Sequence, residues 1–194
     1  MNSFFTFVFV VFIGVMSIQR IWETFFKTKR EPGQVINKWS LKILVSIHII
    51  IILATVAEYF IIKKRINLSI STLGLILYLI ALIGRNWCIN TLGRFHSPHV
   101  EIMDRHLLIK DGPYKYLRHP YYLSVILEFI GFPLVSNSYY ALYLSLLLYI
   151  PALFILRVYP EEKAMTLKFG IEYLLYKKEV HAFLPLNKGL KFNW

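Results

Sequence analysis

The chain has 194 residues, 57% of them hydrophobic, a formal net charge of +11 and a mean hydropathy of +0.54. Its apolar residues fall into runs that approach the roughly 20 needed to cross a bilayer as helix, which argues against a soluble globular class. A single cysteine, Cys88, excludes an intramolecular disulfide or a cysteine metal cluster, and basic residues set between apolar runs point to membrane topology rather than nucleic acid.

Residues 3–19 form the first run. They resemble the apolar part of a signal peptide, but no positive stretch precedes them and no small-residue cleavage pattern follows. Gln19, Arg20 and Trp22 then mark an interfacial boundary, so this run reads as a span. Residues 20–40 are a charged connection with a turn expected at Glu31–Pro32–Gly33. Runs 41–62 and 68–84 form a helical hairpin, the second continuing toward Leu92 with Gly93 as its stop.

The polar stretch 94–121 is too long for a bundle turn, and connections of that length often carry function. Runs 122–136 and 139–156 flank Ser136–Asn137–Ser138. The first of the pair is short for a crossing, so it tilts, continues from the loop or makes half of an embedded hairpin. Pro151 is expected to kink the last run, and Arg157 to begin a polar, partly helical tail broken at Gly170 and Pro185.

The expectation is an all-α integral membrane protein of about five transmembrane helices in a single domain, 1–194. Residues 1–92 supply the N-terminal spans, and residues 93–194 the linker, helical hairpin and tail. An outside N-terminus places the basic groups at 20–42, at 85–118 and in the tail on the cytosolic side. Lys63–Lys64–Arg65 runs against that scheme with three charges.

Glu58 and Glu128 stand out because carboxylates are costly in lipid and face protein or water there. Glu58 reads as a buried hydrogen-bonding or interfacial group, and Glu128 as either a packing contact or part of a reaction cavity. Tyr114, Tyr116, Arg118, His119, Tyr121 and Tyr122 make either an interfacial belt or the polar wall of a ligand cavity. Arg157 and Glu161 share one face of a continuous helix at i,i+4, while Glu161–Glu162 also fits a solvated helix start. His96, His99 and His106 lack a completing carboxylate pattern, so no metal site is expected.

The ordered segments "GPYKYLRHPYY", "RVYPEE", "FGIEYLLYKKEV" and "LP" resemble the isoprenylcysteine carboxyl methyltransferase family, with a weaker likeness to phospholipid methyltransferases. They cover the C-terminal half. The resemblance implies a membrane methyltransferase using S-adenosyl-L-methionine, with a cytosolic-side cofactor pocket built by the C-terminal half. It puts Leu108, Gly112, Tyr116, His119, Tyr122 and Glu162 on the cofactor side, and Arg157 and Glu161 on the substrate side.

The implied acceptor is lipophilic or prenylated, enters from the bilayer among membrane lipids, and is methylated on a carboxylate, which needs no metal and no covalent intermediate. For a hydroxyl acceptor, Glu161 or Glu128 serves as base. O- or N-methylation of a lipidic hydroxyl or phospholipid headgroup, or a non-enzymatic lipid-binding scaffold, remains the alternative. Ser124 stands where relatives often carry glycine or alanine, which bears on packing beside the pocket.

Overall fold

The structure is a computed structural model that describes residues 3–25, 33–63, 65–103 and 107–185. The expected Glu31–Pro32 turn, Lys27, Lys29, Arg30, Lys64, Arg105, His106 and the tail beyond Pro185 lie outside the described residues.

Helix α1 (Ser3–Phe25) opens the chain, and α2 (Lys38–Ile62) starts at Asn37, whose side chain accepts the Ser40 N–H at 3.2 Å. Helix α3 (Leu68–Leu92) begins at Asn67 in the same way and stops at Gly93, where φ is +53°. A left-handed backbone without a Cβ ends the helix as the sequence leads one to expect. Two short strands, β1 (Gly33–Val35) and β2 (Glu101–Met103), pair antiparallel and join the two long connections.

Helix α4 (Pro120–Val135) has proline in its first turn and lies along α3. A Cβ on Gly74 would stand 2.8 Å from Gly131 O, and one on Gly131 would stand 2.7 Å from Gly74 O. The two backbones therefore touch, in the small-residue mode of helices packed in lipid. Ser124 fits opposite Gly84 and donates its hydroxyl to Pro120 O at 3.0 Å, so its extra atoms are absorbed within the same interface.

Helix α5 (Tyr139–Phe169) departs from the expected end at residue 156: it runs on without a break, and Gly170 (φ +54°) separates it from α6 (Ile171–Glu179). Pro151 causes no break because the helix widens before it. Ser145–Tyr149 and Phe154–Val158 are π turns, with Ile150 N–H bonding Ser145 O and Tyr159 N–H bonding Phe154 O. Pro160 follows the second widened turn just as Pro151 follows the first, so each missing N–H is accommodated by a change of register.

Among the described residues, α1, α2, α3 and α5 are long and apolar enough to cross a membrane, and α4, at 16 residues, is shorter. The molecule is an all-α, multi-pass membrane protein. The Glu58 carboxylate accepts the Ala141 N–H at 3.0 Å, meeting one of the open donors at the start of α5.

Candidate functional site

Two turns bring the loop after α3 to the end of α5. Gly112 has φ +56°, and a Cβ there would meet Thr91 Oγ1 at 2.7 Å and Trp87 Nε1 at 3.3 Å, so only glycine passes this close to α3. Pro113 lies in the first positions of the 3-10 turn Gly112–Lys115, whose Tyr114 carbonyl accepts the Tyr176 hydroxyl at 2.5 Å. Backbone N–H groups of Arg118 and His119 donate to His181 O and Ala182 O at 2.9 and 3.0 Å. That pairing ties residues 181 and 182 across the site, and Phe183 stacks on the His119 ring with 5.7 Å between centroids.

His119 is buried and its Nε2 lies 2.8 Å from Glu162 Oε1. The same carboxylate takes Arg118 Nε at 3.0 Å, the Tyr173 hydroxyl at 3.0 Å and Lys177 Nζ at 2.5 Å. Four donors thus converge on Glu162 and lock the loop, α5 and α6 together. Burial pushes the phenols of Tyr114, Tyr173 and Tyr176 above their ordinary range, so all three remain protonated, and Tyr173 and Tyr176 act as hydrogen-bond donors.

Beside this lock lies a cavity of about 490 Å³. Leu108, His119, Tyr122, Arg157 and Glu161 line it, joining residues from the two sequence clusters. Tyr122 donates its hydroxyl to Glu161 Oε2 at 2.5 Å, and His119 Nδ1 lies 3.8 Å from Glu161 Oε1. Arg157 sits in the second π turn, is 5% exposed, and makes no hydrogen bond or ion pair among the described residues. A buried guanidinium in that state presents its donors to the cavity and favours an anion there.

Gly112, Tyr116 and Glu162 do not line the cavity: Gly112 packs on α3, Tyr116 is exposed, and Glu162 is turned toward Arg118 and Lys177. Glu128 also lies off the cavity lining. Its carboxylate contacts the fully buried Arg85, with Arg20 3.4 Å away. Arg85 Nε in turn lies 2.7 Å from Glu23 Oε2, and Asn86 and Gln19 also hydrogen-bond to Glu23. Arg85, Glu23 and His48 escaped the sequence reading as site residues. An arginine beside Gly84, directly after the apolar run 68–84 and within a helix that continues to Leu92, was the available signal for Arg85.

The isoprenylcysteine carboxyl methyltransferase (ICMT) family model matches residues 73–167. The chain is 26% identical to "Uncharacterized protein YpbQ" of Bacillus subtilis over 81% of its own length and 96% of that protein's. It is 34% identical to the protein-S-isoprenylcysteine O-methyltransferase of Xenopus laevis over 63% of its own length, but spans only 43% of that relative. Its fold is similar to the eukaryotic intramembrane Ras methyltransferase ICMT, with a TM-score of 0.61, 23% identity, and coverage of 74% of this chain and 54% of that one.

Proposed function

The chain belongs to the isoprenylcysteine carboxyl methyltransferase family, and from that premise we propose that it transfers a methyl group from S-adenosyl-L-methionine to an anionic oxygen of a lipophilic acceptor. The observation that carries this reading is the buried Arg157, unpartnered among the described residues, on a cavity that is otherwise largely apolar and aromatic. The carboxylate class of acceptor comes from the family's description as carboxyl methyltransferases, and the relatives' names specify methylation on oxygen.

The residues present suit the donor. Tyr122, His119 and Tyr121 put aromatic faces on the cavity, which favour a sulfonium cation, and Glu161 offers a carboxylate to an amino group or hydroxyl. When bound, S-adenosyl-L-methionine supplies an electrophilic methyl on positively charged sulfur. Leu108, His119 and Tyr122 would hold it directly. Gly112 and Tyr116 shape the loop that carries these side chains, and Glu162 fixes His119 and Arg118 in place.

Arg157 binds and orients the acceptor carboxylate. That carboxylate carries no proton to remove, so the protein contributes mainly proximity, orientation and exclusion of water. Val125 and Leu153 supply apolar wall for the acceptor's chain. Glu128, neutralised by Arg85 and Arg20, stabilises the bundle behind the cavity in this reading. With a hydroxyl acceptor, Glu161, whose carboxylate lines the cavity, takes the proton. The positive-inside distribution supports a site on the cytosolic side.

Purified protein in lipid nanodiscs, given S-adenosylmethionine labelled on its methyl, tests the proposal against matched carboxylic, phenolic and aminolipid acceptors. A base-labile labelled ester supports carboxyl transfer, and a base-stable ether supports the hydroxyl variant. Folded protein that fails to bind the methyl donor sinks both.

A further inference from the structure

The cavity extends past Arg157 to a part built by α1 and α2, where Arg20 and His48 line it beside Leu44, Val45 and Ile52. Those residues lie outside the stretch that matches the family model, 73–167. The matched stretch carries Arg157, Glu161, His119 and Tyr122, while the N-terminal helices line the part of the cavity beyond them. A plain hydrocarbon tail would be served by an apolar lining throughout, because arginine and histidine at membrane depth are costly without a polar partner.

His48 lies ten residues into α2, about 15 Å along its axis. Its ring packs edge-on against Phe129 and Tyr149, with centroids at 4.7 and 6.4 Å, and its nitrogens make no hydrogen bond among the described residues. Arg20 has one ion-pair partner there, Glu128 at 3.4 Å, and keeps 18% of its side chain exposed. Charge sets what this end of the cavity favours. Arg20 and Arg85 balance Glu23 and Glu128, so the cluster is neutral and calls for a dipole rather than a second anion.

We infer that Arg20 and His48 are specificity residues that bind a carbonyl oxygen within the acceptor's chain, so that the acceptor is an oxygenated lipid and not an uninterrupted hydrocarbon. This rests on the methyl-transfer reading. Arg157 holds the oxygen that is methylated, and the Arg20–His48 pair fixes how far along the chain the second oxygen lies.

The test is competition binding in nanodiscs against a fluorescent fatty acid, with S-adenosylhomocysteine present. The ligands are hexadecanoate and oxo-hexadecanoates with the ketone moved along the chain. At least one ketone position is expected to bind ~10-fold or more tightly than the parent, the scale of one hydrogen bond to a charged donor. R20M and H48F should each bring that ratio close to one. R20Q, which keeps N–H donors without the charge, should retain part of it. S-adenosylhomocysteine affinity reports that each variant is folded, and H48F preserves the ring packing should R20M fail that check.

No ketone preference in the wild-type protein, or a preference that survives both R20M and H48F, overturns the inference. Loss of S-adenosylhomocysteine binding by the wild-type protein instead overturns the methyl-transfer reading.

Discussion

Arg157 combines three properties that rarely coincide in a membrane helix: burial, cavity access and no anionic partner among the described residues. Replacing it with methionine should preserve helix content by circular dichroism and cut methyl transfer ~100-fold or more, chiefly through lost acceptor orientation. R157K keeps the charge but not the planar fork, and should recover only part of that loss. The opposite pattern is expected at Arg85, which is 1% exposed between two carboxylates. R85M leaves Glu23 and Glu128 facing each other's charge and should destabilise the fold by about 3–5 kcal/mol in a reversible unfolding assay. Adding E23Q to it should recover much of that stability, because the cluster is then neutral again with the Arg20–Glu128 pair intact, and the penalty lies in unpaired charge rather than lost packing.

The helix pair α3–α4 depends on two glycines, and the prediction belongs to the pair rather than to either residue. Gly131→Val inserts side-chain atoms where backbone oxygen and nitrogen of α3 already stand within 2.8 Å of the Cβ position. A melting curve in detergent should fall by an amount equivalent to about 1–3 kcal/mol, with a larger loss if the helices separate.

This scale also decides what could be read from the chain. Gly93 and Gly170 were readable as stops because a positive φ has a residue signature. The cavity pairing of His119 and Tyr122 with Arg157 and Glu161 was readable as two motif clusters, without their distances. The extent of α5 was not, because Pro151 and Pro160 announce missing N–H groups while no residue pattern announces the π turns that accommodate them. Arg85 with Glu23 was hidden for a related reason: residues 62 positions apart in sequence meet only after three helices assemble. Strands of three residues in β1 and β2 fall below any reliable alternation pattern.

For the whole molecule, charge placement predicts sidedness, and Cys88 provides a convenient background because it is fully buried. With Cys88 changed to alanine, cysteines placed at the exposed positions Lys38 and Lys110 should react with an impermeant maleimide from the same side of sealed vesicles. One at Arg65, beyond the other end of α2, should react from the opposite side. That result would assign the mouth of the cavity to the basic, cytosolic face.

The buried ion network also bears on how the protein is made. Glu23 leaves the ribosome with α1, Arg85 arrives with α3, and Glu128 only with α4. Until that last helix is synthesised, Arg85 lacks one of its carboxylates and Arg20 lacks its partner. Early helices therefore gain a stable home in the lipid only retroactively. A chain truncated before residue 128 should remain with the insertion machinery or its quality-control proteases, and the finished bundle should be released from them.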